Sequence, residues 1–258
     1  LSAQSGHLDV GAERRLGVGD RNGDGEVVAL AAEQCVCFDV DQDKQVTGGA
    51  AVLARAALAA GARIHTETPL EGAERKGDLW VLTTPRGRVT AKHVILATNA
   101  YGATVARTPW TTHTEELTIL PYFQFATNPL PAKVAEKILP ERQGCWDTGL
   151  VMTSFRTDRQ NRMIFGSIGR LDAVAEGTHR AFAMRSVRKI FPEIGDIKFE
   201  YWWDGRIGMT TNHLPQTHQV APNVFSVSGY NGRGIAPGTV FGRALAHRAL
   251  GDENAIPI

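Results

Sequence analysis

Val224-Phe225-Ser226-Val227-Ser228-Gly229-Tyr230-Asn231-Gly232-Arg233-Gly234-Ile235-Ala236 is the stretch on which the reading of the fold turns. From Asn223 to Ser228 it is a short apolar run, of the kind that forms a strand buried on both faces. Gly229, Gly232 and Gly234 follow closely, and a helical pattern then runs from about Gly238 to Leu250. A strand, a glycine-rich turn and a closing helix form a nucleotide-fold element. The glycines have no Cβ, so backbone can approach a flat ligand closely. The helix offers unpaired N–H groups and the positive end of its dipole near Gly238, suited to an electron-rich ligand edge. Arg233 adds a fixed charge. For the loop taken alone, a tight strand-to-helix turn without a ligand is the alternative.

Upstream of this element, Ala50 to Ala60 is rich in Ala and Leu, with Val52, Ala56 and Ala59 on one helical face and Gly61 where a C-cap glycine belongs. Ala62-Arg63-Ile64-His65 is expected to start a strand. Leu70 to Arg75 and Leu79 to Thr84 read as two strands around the turn Lys76-Gly77-Asp78, and Val89 to Lys92 returns after Pro85-Arg86-Gly87. Val94 to Thr98 is a second buried strand. Between the two strand-bearing regions, Thr108 to Met209 is richer in Trp and Phe. Phe123 and Phe125 alternate as in a half-buried strand, Ala132 to Ile138 and Arg180 to Ile190 read as helices, and Phe199 to Trp203 as a strand. Tyr201-Trp202-Trp203 reads as core. Leu1 to Asn22 shows no clean periodicity and is expected to be loops. The expected fold class is α/β (α+β mixed), with a nucleotide-binding fold interleaved with a β-rich substrate domain. The nucleotide fold occupies 46–105 and 210–258, the substrate domain 106–209, and 1–45 is unplaced, the substrate domain being its candidate home.

The chain has 258 residues, enough for one large or two intertwined domains. With 43% hydrophobic and 21% charged residues it has an ordinary globular composition, and a net charge of +1 gives no electrostatic case for nucleic acid. No apolar run reaches membrane-spanning length, and Leu1 to Gly11 lacks a signal-peptide layout. The chain opens without Met, so its natural start is expected upstream. Three cysteines, with Cys35 and Cys37 two apart and Cys145 distant, make no disulfide framework, and a reduced cytoplasmic setting is expected. Asp20-Arg21-Asn22-Gly23-Asp24-Gly25 resembles the start of a calcium loop, but Ala31 stands where a bidentate Glu should close the shell, so a polar turn is the reading. Asp39, Asp41 and Asp43 read as a solvated turn. Gly17-Val18-Gly19 lacks the strand and helix of a dinucleotide fingerprint. The histidines, among them His213 and His218, have no metal-ligand spacing, and Ser167 and Ser228 have no nucleophile-elbow context. No metal is expected.

Four stretches in order resemble the D-amino-acid-oxidase superfamily of FAD enzymes. They are Ala50 to Ile64 with Val94 to Tyr101, Asp147-Thr148 through Met163-Ile164-Phe165-Gly166, Trp203-Asp204-Gly205 followed by Thr210, Asn212, Leu214 and Pro215, and Gly229 to Ala236. Together they span about Val46 to Gly251. Within the superfamily, Thr127-Asn128-Pro129-Leu130, Ile138-Leu139-Pro140 and Asn212-His213-Leu214-Pro215-Gln216 are most similar to the gamma-glutamylputrescine oxidase group. Arg233 stands where that group usually carries His. Ile207 and Gly232 stand near the positions where glycine-oxidase-like members anchor a carboxylate with arginine. Gly205 stands near the cysteine of members with covalent flavin, so the resemblance implies non-covalent FAD.

The resemblance implies oxidation of the C–N bond of an amine or amino acid to an imine, a hydride passing to the flavin and oxygen serving as acceptor to give hydrogen peroxide. It places Gly229, Tyr230, Asn231, Gly232, Arg233, Gly234, Ile235 and Ala236 at the flavin ring, and Leu70, Ala97 and Thr98 on the adenosine side. Trp203, Gly205 and Arg206 go to the substrate side, with Arg233, Arg206 and Trp203 as the residues serving catalysis. The family's strand, Gly-x-Gly-x-x-Gly turn and helix for the FAD pyrophosphate do not occur in residues 1–45. A truncated chain, a partner chain supplying that segment, or a protein that no longer binds FAD would each account for this. A non-catalytic or partner-dependent flavoprotein subunit, with another chain supplying the pyrophosphate site, is one rival reading. A calcium-stabilised module around Asp20 to Glu26 is the remaining rival reading.

Overall fold

A computed structural model describes residues 17–19, 26–31, 49–65, 68–102, 109–110, 114–149, 151–252 and 254–255. The Cys35, Cys37 and Asp39–Asp43 readings and the Asp20–Gly25 turn lie outside these. The described residues form two compact units, Leu120–Arg206 and a flanking unit built from those between Gly17 and Ile119 and from Ile207 onward. The first half of the flanking unit contributes β1 (Gly17–Gly19), β2 (Glu26–Ala31), α1 (Gly49–Ala59), β3 (Gly72–Lys76), β4 (Leu79–Thr84), β5 (Gly87–Ala91) and β6 (His93–Ala97). Then come β7 (Thr118–Pro129), α2 (Ala132–Ala135), β8 (Cys145–Trp146), β9 (Thr153–Thr157), β10 (Arg162–Ile168), α3 (Ala175–Ile190) and β11 (Phe199–Met209). The chain closes with β12 (Gln216–Ala221), β13 (Val224–Ser228) and α4 (Ile235–Ala249).

The flanking unit is organised by a five-stranded sheet in the order β1-β2-β6-β13-β12. Its centre is parallel: β2 pairs with β6 from Val27↔His93 to Ala31↔Ala97, and β6 with β13 from Val224↔Val94 to Ser226↔Leu96. All five residues of β13 are buried, so both of its faces are covered, with Ser226 satisfied by donating its hydroxyl to the Leu96 carbonyl at 3.1 Å. Val224 joins Leu70, Trp80, Leu82, Ala91, Val94 and Leu96 under the β3-β4-β5 meander, and Phe225 and Val227 join Leu245 of α4. Each Val, Leu or Phe among these contributes about 1.5–3 kcal/mol on burial. Trp80 fastens the meander to the sheet by donating its indole N–H to the Pro222 carbonyl at 2.9 Å and meeting Trp110 edge-on at 4.9 Å.

Local sequence explains most of the element ends. After α1, Gly61 at φ +93° lets the chain reverse, and the Ala62 N–H reaches back to the Ala57 carbonyl at 2.9 Å, which is the expected glycine cap. Gly77 at φ +62° makes the β3–β4 turn. Several expectations are corrected. Residues 62–65 form no strand, having no strand partner among the described residues. The helix expected to Ile138 is a single turn, α2, while α3 begins at Ala175 rather than Arg180. Gly17–Gly19 is a short strand, antiparallel to β2, within a stretch read as loop. The closing helix starts at Ile235, because Pro237 fits a first helical turn, where its missing N–H costs nothing.

The unit Leu120–Arg206 is an antiparallel sheet in the order β11-β7-β10-β9-β8. Phe123, Phe125, Met163 and Phe165 point into one core with Ile138, Ala183, Val187, Ile194 and Phe199. Phe123 and Phe125 are fully buried, a deeper placement than half-burial. The register of β7 against β10 shifts between Arg162 and Ile164, and the buried Thr127 hydroxyl accepts the Met163 N–H at 2.9 Å there. Arg180 of α3 stacks over Phe125 and Trp202 and pairs with Glu176 at 2.9 Å, so a cation closes the edge of an aromatic core. Strand β11 runs past Trp203, where its expected end lay, to Met209. Among the described residues no helix is long and apolar enough to cross a membrane, and no cluster of His, Cys, Asp or Glu could hold a metal ion.

Candidate functional site

The parallel strands β6 and β13 both end at the same edge of the sheet, which is where α/β sheets bind ligands. At that edge β6 delivers exposed Ala97, buried Thr98 and then Asn99, and β13 delivers Ser228 and the loop 229–234. The loop is a series of left-handed residues: Gly229 at φ +75°, Asn231 at +54° and Gly232 at +76°. Gly229 is a glycine by necessity, since a Cβ there would run into Thr210 Cγ2. At Gly232 the nearest side-chain atom to such a Cβ is Ile207 Cδ1 at 3.6 Å, so only the backbone conformation requires glycine.

Two asparagines hold this loop. Asn231, 9% exposed, accepts the Thr210 N–H at 2.9 Å, donates to Thr210 Oγ1 at 3.1 Å and to the Gly229 carbonyl, and gives its backbone N–H to the Gly208 carbonyl at 3.1 Å. The Thr210 hydroxyl in turn donates to the Leu214 carbonyl at 2.8 Å. Asn99, itself at φ +41°, accepts the Gly229 N–H at 2.9 Å. A Cβ on Gly208 would stand 2.9 Å from Asn99 Oδ1 and 3.2 Å from Leu117 Cδ1, so this second glycine also makes room for the network. The Asn231 side chain is therefore turned into the protein, not outward.

The rest of the loop divides between core and surface. The Tyr230 ring lies against Phe241 at 6.2 Å, and burial pushes its hydroxyl pKa up, so it is a neutral phenol. Arg233 is exposed, with its backbone N–H donated to the Tyr230 carbonyl at 2.9 Å. The first helical bond of α4 is from the Gly238 N–H to the Gly234 carbonyl, which leaves the Ile235 and Ala236 N–H groups without an intrahelical acceptor. Ile235 is 85% exposed, so an apolar side chain and two free donors share one open surface.

The expected site residues fall into three places. Gly229 to Ala236, Ala97 and Thr98 come together at the sheet edge. Leu70 is 5% exposed and packed in the meander core. Trp203, Gly205 and Arg206 lie on β11 in the other unit, where neighbouring Asp204 accepts the Leu171 N–H at 2.9 Å. Sequence reasoning missed Asn99, Gly208 and Thr210 as parts of the loop's support. For Asn99 the signal was an asparagine directly after a buried strand, a residue type that tolerates left-handed backbone.

This arrangement fits one end of a flavin. Left-handed glycine backbone allows a ring to approach, the start of α4 presents donors with a positive dipole end, and Ile235 supplies apolar cover. Ser228 Oγ, fully buried where the loop begins, has no partner among the described residues. Residues 40–248 match the family model described as DAO: FAD dependent oxidoreductase. The chain belongs to this family. It is 30% identical over 208 residues to a probable oxidoreductase, OrdL, of Haemophilus influenzae, covering 80% of this chain and 47% of that protein. It is 26% identical over 177 residues to gamma-glutamylputrescine oxidoreductase of Escherichia coli K12, covering 67% and 40%. Glycine oxidase from Geobacillus kaustophilus superposes with a TM-score of 0.60 at 20% identity, over 80% of this chain and 55% of that one, and shares the fold. The chain spans about half the length of the curated relatives it matches. Family membership accounts for the mixed α/β architecture with its inserted sheet.

Proposed function

We propose that this chain is part of an FAD-dependent oxidase that converts the C–N bond of an amine or amino acid to an imine, with non-covalently bound FAD and oxygen as acceptor. The observation that carries the reading is the loop 229–234, held left-handed at the carboxyl edge of a parallel sheet and followed by a helix start with two free N–H donors. Bound FAD would supply the hydride acceptor and the route for electrons to oxygen that ends in hydrogen peroxide. The chain's own part is positioning and electrostatics. Gly229 and Gly232 admit the ring, the Ile235 and Ala236 N–H groups donate to its electron-rich edge, and Arg233 adds positive charge beside it. Ala97 and Thr98 border the adenosine side. A substrate-handling role is proposed for the unit Leu120–Arg206, with Trp203, Gly205 and Arg206 as its residues. The relative named gamma-glutamylputrescine oxidoreductase makes an amine with a distant carboxylate the first substrate to try, in a cytoplasmic setting. Residues 1–45 contain no Gly-x-Gly-x-x-Gly turn for the pyrophosphate end of the cofactor, and a partner chain that supplies one is part of the proposal.

The visible spectrum of the purified natural protein, before and after denaturation, tests this. A flavin spectrum released on denaturation, together with peroxide formed from gamma-glutamylputrescine or another amine, is the expected result. Flavin covalently retained removes the non-covalent part of the proposal. A colourless protein that stays colourless with added FAD leaves the second reading, a partner-dependent subunit, which the lack of a Gly-x-Gly-x-x-Gly turn in residues 1–45 favours; copurification of a flavin-bearing partner identifies it. Arg233→Ala is expected to slow flavin reduction at least about tenfold in stopped-flow, a loss of about 1.4 kcal/mol of transition-state stabilisation.

A further inference from the structure

We propose that Asn99 and Asn231 are the positioning residues of the candidate cofactor loop, two side-chain pins that tie it to segments distant in sequence, Asn99 from outside the loop and Asn231 from within it by way of Thr210. Asn231 belongs to the loop but does not face a ligand. Its two amide hydrogens are committed to Thr210 Oγ1 and the Gly229 carbonyl, and its oxygen to the Thr210 N–H. These partners also fix which end of the amide is oxygen, because a backbone N–H and a backbone carbonyl each admit one choice. Asn99 lies 130 residues from Gly229 and takes its N–H. The two pins act on successive groups of one residue: Asn99 holds the Gly229 N–H and Asn231 holds the Gly229 carbonyl.

Gly229 gains its freedom from lacking a Cβ, and that freedom must be removed again if the loop is to have one shape. The apolar contacts that usually do this are scarce here. Gly232 and Arg233 are exposed and Ile235 is 85% exposed, so side-chain burial holds the outer half of the loop weakly. The buried hydrogen bonds of the two asparagines do the holding, and Thr210, 5% exposed, is their shared anchor. With the pins in place, Gly234 is set where α4 can begin and where the Ile235 and Ala236 N–H groups stay available. The link to a flavin rests on the reading above; the pinning of the loop does not.

Hydrogen exchange on the full-length natural protein tests the pins, alongside FAD titration. The Gly229 and Thr210 amides report directly, since their acceptors are the two asparagine side chains. Asn99→Gly and Asn231→Gly keep left-handed backbone accessible and delete only the side chains. Each is expected to raise exchange across 229–234 at least about tenfold, while amides of β7 and β10 stay protected and so certify folding. Thr210→Val is expected to loosen the loop as Asn231→Gly does, and Thr210→Ser, which restores the hydroxyl, to return protection toward wild type. In a wild type that binds FAD, the glycine variants should weaken its affinity about tenfold and shift the bound flavin's absorbance bands. Unchanged exchange in both glycine variants overturns the proposal. So does faster exchange with FAD affinity and spectrum unmoved. If the wild type binds no flavin, it is the functional reading that fails, and the exchange result alone decides whether the pins exist.

Discussion

The core of the unit Leu120–Arg206 and the loop at the end of β13 are both well ordered by their surroundings, but by opposite means. In the first, Phe123, Phe125, Met163 and Phe165 are fully buried and the ordering is done by carbon packing on carbon. Thr127 is its one fully buried polar concession on β7, and it serves the strand irregularity beside Met163. In the second, the ordering atoms are amides, carbonyls and one hydroxyl, with Leu117 as a close apolar neighbour. Volume therefore governs what the core tolerates, and hydrogen-bond geometry governs what the loop tolerates. The loop can be open to a ligand because its order does not depend on being covered.

The contrast can be broken most forcefully in the core. Phe165→Ala is expected to cost about 3–5 kcal/mol in urea unfolding, because the transferred ring and the cavity both count; a cost under about 1 kcal/mol would mean that the packing is looser than drawn here. Gly229→Ala comes next. The alanine must adopt φ +75° against Thr210 Cγ2, so a strain of roughly 1–3 kcal/mol is expected. Limited proteolysis should find it in the loop, while the inserted sheet resists; equal protection would show that volume matters little at that site. Thr127→Val sharpens the comparison by imposing the loop's kind of damage on the core. It keeps the shape but leaves the Met163 N–H unpaired, for an expected loss of about 1–3 kcal/mol. The smallest effect concerns His93, where burial, reinforced by Lys92, lowers the pKa. The unfolded chain takes up the proton first, so stability should fall as pH drops below about 6.5 and continue to fall until the folded group titrates. His93→Phe should flatten that limb of a Tm-against-pH curve, and an unchanged limb would assign it to other groups.

What could be read from sequence follows from the range over which each feature is determined. The buried strands β6 and β13, the glycine cap at Gly61 and the turn at Gly77 depend on residues within one or two turns of chain, and local pattern exposes them. Strand β2 escaped because Glu26 to Ala31 acquires its meaning only from its parallel pairing with β6, more than sixty residues on. Residues 62–65 have strand composition but form no strand. In the loop, the glycines were visible but their supports were not. Gly229 is constrained by Thr210 and Asn99, and nothing local to any of the three announces that they meet. The inward turn of Asn231 was equally hidden, since the family resemblance placed the whole stretch from Gly229 to Ala236 at the flavin ring without distinguishing which side chains face it.

Asn231 precedes Gly232, and that pair has a chemistry of its own over long times. A glycine nitrogen, unshielded by a Cβ, can close on the asparagine Cγ and expel ammonia, and water then opens the ring to aspartate or isoaspartate. The reaction needs a mobile side chain and a free backbone nitrogen. The hydrogen bonds to Thr210 and Gly229 deny the first while they last. The same bonds that shape the loop thus slow its ageing. Each molecule in which they have failed for long enough acquires a permanent negative charge at residue 231 in place of a donor. The deamidated fraction of a stored sample becomes a cumulative record of how often this loop has come loose.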